Sequence, residues 1–214
     1  MPKSGDFLNQ AQSWIVTRRR GQLIFDSGEP SKQMYRVEAG CVRLQVNGDK
    51  GVRQIVVFLF PGDFFGYDID SRVCAAEAAS DCTLRCWSVR AVLKAADKES
   101  RVTVKLLGEA QRRFGQIAEH MEKITHLPAT ERVIWFIGGL LRCRGLVQDG
   151  GHIHLPMSYA DIADYLGLAP ETLSRVLAAL ESNGYVRREG RHDLSLNAPM
   201  FLKIDHLEAL RLDA

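Results

Sequence analysis

The sequence predicts an α+β chain in three successive parts: an antiparallel β-roll over 1–99, one long helix over 100–127, and a compact helical part closed by a β-hairpin over 128–214. Three observations carry this division. The first part alternates apolar and polar residues every second position, the second repeats apolar residues at steps of three and four, and the third holds two short amphipathic helices before a hairpin signal. With 214 residues and 46% hydrophobic content, the chain has enough apolar side chain for two small cores.

In the β part, Val42, Leu44 and Val46 point one way and Arg43, Gln45 and Asn47 the other. The run N-G-D-K-G at 47–51 is a turn signal before the apolar stretch V-R-Q-I-V-V-F-L-F. Further punctuation at Gly21, Gly28, Gly40, Pro61–Gly62 and Gly66 cuts the region into short strands at regular intervals, as a small barrel or jelly roll requires. S-D-C-T-L-R-C-W also reads as a strand. Four residues along it span roughly 13 Å, which keeps Cys82 and Cys86 from ligating one metal. They, with Cys41, Cys74 and Cys143, are expected to be free thiols, buried or half-buried.

The helical stretch begins near Ser100. Within it Leu107, Ala110, Phe114, Ile117, Met121 and Ile124 form a seam, while Gln111, Arg112, Glu119, Glu122 and Lys123 keep that stripe narrow. A narrow stripe at this period is the pattern of a two-stranded coiled coil, so the chain is expected to form a homodimer along it. H-L-P-A-T at 126–130 then reads as a linker with a hinge at Pro128, and Thr130 as the cap of the helix E-R-V-I-W-F-I-G-G-L-L-R.

Residues 158–184 are the most informative. Ile162, Ala163, Leu166 and Leu168 make one apolar stripe and Leu173, Val176, Leu177 and Leu180 another, so two helices must pack on each other. Gly167 suits the turn between them, Pro170 the first turn of the second helix and Gly184 the position past its end. The free face of that helix, Glu171, Thr172, Ser174, Arg175 and Ala178, is short and polar beside one Arg, so the helix can enter the major groove of double-stranded DNA. Arg175 can pair bidentately with guanine, Glu171 can accept from a base amino group, and Ser174 can serve a base or a phosphate. Ahead of these helices H-I-H-L-P-M at 152–157 reads as a strand. After them G-Y-V-R-R-E-G-R-H-D-L-S-L reads as a hairpin around Glu189 and Gly190, which makes the unit a winged helix-turn-helix. Ser158, Tyr159, Thr172, Arg187, Arg188 and Arg191 are the expected phosphate-backbone contacts.

Charge argues for a local patch over a general coat. The chain carries a formal +2, yet residues 126–214 hold nine Lys and Arg against eleven Asp and Glu. A non-specific nucleic-acid coat protein would be far more basic. No apolar run approaches bilayer length and the N-terminus lacks the order of a signal peptide, so no membrane association and a cytoplasmic location are expected. His152 and His154 share one strand face without an evident third ligand and read as solvent-facing. No nucleophile, paired carboxylates or phosphate loop has a usable context, so no enzyme activity and no cofactor are expected.

The stretch L-P-M-S-Y-A-D-I-A-D-Y-L-G-L-A-P-E-T-L-S-R resembles the Crp/Fnr superfamily of bacterial transcription regulators, most closely its FixK branch, and the likeness spans about Gly21 to Leu196. R-G-Q-L-I-F, Y-R-V-E-A-G-C-V-R-L and F-P-G-D-F-F-G are similar to the cyclic-nucleotide-binding β-roll of that superfamily. The resemblance implies a homodimer joined along the long helix. It also implies an E-x-x-S-R recognition signature at Glu171, Ser174 and Arg175 reading a TTGA…TCAA-type inverted repeat, and an activator that recruits RNA polymerase. Two departures are informative. The family's G-E-L and R-S or R-T phosphate elements read here Gly66, Tyr67, Asp68 and Arg72, Val73, so no cyclic nucleotide or other small effector is expected, and Arg72 reads as an exposed loop residue. No cysteine precedes Cys41, so the iron–sulfur cluster of Fnr is not expected. The alternative reading is a ligand-sensing regulator whose β-roll binds a cyclic nucleotide or another small effector.

Overall fold

The structure is a computed structural model, which describes Leu8 and residues 11–47, 53–68, 71–142, 147–148, 152–190 and 192–197. It divides into two compact units, Met1–His120 and Met121–Ala214, and the division falls inside the long helix.

The first unit is built from β1 (Ser13–Arg18), β2 (Leu23–Phe25), β3 (Gln33–Ala39), β4 (Val42–Asn47), β5 (Arg53–Leu59), β6 (Phe64–Phe65), β7 (Ala75–Ala78) and β8 (Cys82–Ser88). They form two antiparallel four-stranded sheets, in the orders β1-β8-β3-β6 and β2-β7-β4-β5. Alternate side chains of both sheets meet in one core that includes Phe25, Val37, Val42, Leu59, Phe65 and Leu84. The N-G-D-K-G turn falls largely outside the described residues, but the strands flanking it pair Asn47 with Arg53, as a hairpin requires. On the other face of β4, Arg43 and Gln45 are also buried, and Arg43 forms an ion pair with Glu77, its neighbour on β7. A buried guanidinium is tolerated there because it is paired.

Helix α1 (Val89–Lys98) follows β8 directly, capped by Ser88, whose hydroxyl accepts from Ala91 N at 3.1 Å. Sequence patterning assigned no helix here. Val92 of α1 and Val102 of α2 (Ser100–His126) bury against Leu8, Met34, Phe64 and Trp87.

Helix α2 buries Val102, Arg113 and His120 along one stripe. Arg113 lies 3.4 Å from Asp63 in the β5–β6 turn, and Arg112 Nη2 donates to the same carboxylate at 2.9 Å. The residues of the expected seam differ in exposure. Leu107, Phe114 and Met121 are 66%, 74% and 60% exposed and are joined by Val104 at 67%, whereas Ala110, Ile117 and Ile124 are half-buried. The outward apolar stripe is therefore centred on Leu107, Phe114 and Met121, and the other three lie on its shoulder.

The second unit contains α3 (Ala129–Arg142), β9 (Val147–Gln148), β10 (His152–His154), α4 (Tyr159–Leu166), α5 (Pro170–Ser182), β11 (Val186–Arg188) and β12 (Asp193–Leu196). Because α3 starts at Ala129, Thr130 lies inside its first turn and does not cap it. The helical ladder begins one step earlier, where Arg132 N donates to the Pro128 carbonyl at 3.0 Å. Strands β11-β12-β10-β9 form an antiparallel sheet. Strand β10 is shorter than the alternation of 152–157 suggested. Val133, Ile137, Leu155, Ile162, Leu173, Leu177 and Leu194 are all buried, so α3, α4, α5 and the sheet share one core. Among the described residues no helix is long and apolar enough to cross a membrane.

Candidate nucleic-acid interface

Helix α4 starts from a capping box: Ser158 Oγ accepts from Asp161 N at 3.1 Å, and Asp161 Oδ2 accepts from Ser158 N at 3.2 Å. Such reciprocal bonds satisfy two helix-end donors and define where the helix begins. It ends at Gly167, whose φ of 62° and ψ of 39° place it in the left-handed region that a side chain disfavours. Pro170 then opens α5, and Leu173, Val176, Leu177 and Leu180 bury its inner face.

That burial turns Glu171, Ser174 and Arg175 outward, all three exposed on the first two turns of α5. Thr172 is half-buried, and its hydroxyl accepts from Arg175 Nη2 at 3.3 Å, so the Arg175 guanidinium is steadied beside Ser174. The turn between the helices is also held from α3. Arg132 donates from Nη1 to the Leu166 carbonyl at 3.1 Å and from Nε to the Leu127 carbonyl at 2.8 Å. Sequence reasoning missed Arg132, since nothing in its spacing points to carbonyls at positions 127 and 166.

The wing differs from a free pair of arginines. Arg188 is fastened to Glu181 of α5: its Nη2 and Nε lie 2.7 and 2.9 Å from Oε2, and its backbone N lies 2.9 Å from Oε1. These bonds hold the Glu181 carboxyl below the usual carboxylate range. Arg187 pairs with Glu189, whose carboxyl is likewise lowered by that hydrogen bond. Arg191 lies outside the described residues. The Tyr159 hydroxyl is buried without a hydrogen-bond partner, so that group does not face a phosphate, and the side chain lines the same small cavity as Val133, Ile162 and Leu177. Burial pushes that phenol's pKa up.

His152 and His154 are occupied locally. His152 Nδ1 lies 2.9 Å from Ser195 Oγ and 3.1 Å from Glu189, and His154 Nδ1 lies 2.8 Å from Asp193. Among the described residues no three His, Cys, Asp or Glu side chains are grouped to hold a metal. Cys82 and Cys86 are buried on β8, and burial pushes both thiols up to about 11. Cys41 is buried, Cys74 is partly exposed, and Cys143 lies outside the described residues.

In the β-roll the structure overturns the reading of Arg72 as an exposed loop residue. Its side chain is only 2% exposed. The guanidinium lies 4.2 Å from the Phe25 ring centroid and 5.9 Å from that of Tyr35. Nη2 donates to the Gln33 carbonyl and Nη1 to Asp68 Oδ2 at 3.3 Å. A Cβ on Gly66 would meet Nη1 at 2.6 Å, so that glycine is what lets the guanidinium fit.

The chain is 31% identical over 190 residues to the nitrogen fixation regulation protein FixK of Rhizobium meliloti, which covers 88% of this chain and 85% of that one. It belongs to the Crp/Fnr superfamily, in its FixK-like branch. The FixK of Bradyrhizobium diazoefficiens is 33% identical over 168 residues, covering 78% of this chain and 71% of that one. The solved structure of FixK2 from Bradyrhizobium japonicum matches with a TM-score of 0.85 and 32% identity, covering 93% of this chain and 98% of that one. Residues 15–99 match the cyclic nucleotide-binding domain family and residues 131–203 the Crp-like helix-turn-helix domain family. This FixK-like chain is thus a DNA-binding transcription regulator.

Proposed function

We propose that this FixK-like regulator binds as a homodimer to a TTGA…TCAA-type inverted repeat and activates transcription by recruiting RNA polymerase. The observation that carries the reading is the exposed triplet Glu171, Ser174 and Arg175 on a helix whose opposite face is buried. In this reading Arg175 pairs with a guanine, Glu171 accepts from a base amino group, and Ser174 holds a base or phosphate. Ser158 and Thr172 flank them toward the phosphates. Two such helices read two half-sites about one helical turn apart, which turns a module of few contacts into an operator reader. The exposed stripe of Leu107, Phe114 and Met121 supports α2 as the dimer seam. We place the functional boundaries at 1–99, 100–127 and 128–214.

Selection of bound duplexes from a random pool tests the reading directly, with TTGA half-sites and one fixed spacing expected. Arg175→Ala should cost about 1–3 kcal/mol per half-site and relax base preference at one position. Equal weakening on every sequence would instead assign Arg175 to the phosphates and sink the base-reading role.

A further inference from the structure

Arg72 is a charged group enclosed in the β-roll, and a guanidinium taken from water persists only where its charge is met. Among the described residues, two aromatic faces and one carbonyl surround it, and the carboxylate that meets it is Asp68. The Asp68 side chain is 30% exposed while that of Arg72 is 2% exposed, so the pair has a buried cationic end and an anionic end that reaches solvent. Nε of Arg72 is buried and without a hydrogen-bond partner, so the guanidinium has a donor that its own chain leaves unused. Carboxylate and phosphate oxygens accept from a guanidinium in the same way.

We infer that Asp68 is a built-in counter-anion: it fills from within the chain a small-oxyanion site on Arg72 that would otherwise take a phosphate ester or a carboxylate. The buried charge of Arg72 is therefore met without a ligand, and removing the Asp68 carboxylate uncovers a site for an external anion. This concerns the β-roll alone and stands or falls independently of which operator α5 reads.

The test is thermal unfolding of the full chain titrated with sodium phosphate and, separately, sodium acetate, for the wild type, Asp68→Ala and the exposed-site control Asp97→Ala. Asp68→Ala should unfold at lower temperature than the wild type and recover about 2–4 °C in a saturable manner with either anion. The wild type and Asp97→Ala should show only the shallow, unsaturated response of general salt. Adding Arg72→Met to Asp68→Ala should abolish the recovery. A folded Asp68→Ala without saturable recovery overturns the inference, as does a wild type that recovers equally. Should Asp68→Ala not fold, Asp68→Asn carries the same titration. Independently, calorimetry on the wild-type chain should show no binding of cyclic AMP or inorganic phosphate, and micromolar binding of either would overturn the internal-anion role.

Discussion

Arg132 shows how a single side chain can govern a binding surface it never joins. It bridges two carbonyls, one in the connection just before α3 and one at the end of α4, and so sets the turn from which α5 projects. Replacing it by Met leaves those carbonyls without their charged donor, so stability in urea unfolding should fall by about 1.5–3 kcal/mol. DNA affinity, measured where the variant is fully folded, should fall without any change in base preference. Cys82 and Cys86 give a second expectation at this scale. Their folded pKa of about 11 lies above the ordinary 9.0, so the fold favours the protonated thiol. That contribution is fully present below about pH 9 and is lost as pH rises toward 11. Thiol-specific reagents at neutral pH should therefore modify neither cysteine until the protein unfolds, and rapid labelling of the native chain at β8 would contradict this.

Helix α2 and the wing are the elements whose behaviour follows most directly from geometry. Asp63 engages Arg112 and Arg113 and so orients α2 on the β-roll, which turns Leu107 and Phe114 away from it. Phe114→Glu places like charges across the proposed seam. It should give a monomer by sedimentation with an unchanged circular dichroism spectrum, since a side chain 74% exposed in the single chain contributes little to its fold. A persisting dimer would move the interface elsewhere. In the wing, the Glu181 carboxyl is held low by the backbone and side-chain bonds from Arg188. Its contribution is present above the ordinary carboxylate value of 4.5 and lost as pH falls through the lower folded value. The Arg188 amide should accordingly keep its hydrogen-exchange protection near pH 6 and lose it in acid, at a pH below the ordinary 4.5, before the core amides of α5. Glu181→Ala should show the loss at both.

At the scale of the whole molecule, the proposed function depends on two recognition helices meeting two half-sites at once. Insertion of about 5 base pairs between the half-sites turns one site to the opposite face of the duplex, since a turn takes about 10–10.5 base pairs. Gel-shift binding should collapse on that duplex and recover with about ten inserted only if the dimer can span the added turn. The Phe114→Glu monomer should bind the native site no better than a single half-site, because it loses the combined contacts of the pair.

The β-strand alternation, the three-and-four apolar repeat that leaves Leu107, Phe114 and Met121 outward on α2, and the Gly167, Pro170 and Gly184 punctuation of the helix-turn-helix were all legible in the sequence. So was the outward set Glu171, Ser174 and Arg175. Each follows from a period or a turn rule acting over a few residues, so the order of residues decides it. Tertiary structure alone decided the burial of Arg72 beside Phe25 and under Gly66, the Arg188–Glu181 strut, the enclosure of the Tyr159 hydroxyl, and the Arg132 clamp. Those depend on partners brought together by folding, such as Gln33 for Arg72 and Leu166 for Arg132, 39 and 34 positions away. No local pattern records which loop cation will meet which distant carbonyl. The charge of Arg72 was visible in the chain, but that it is shielded and answered by Asp68 is a property of the packed β-roll.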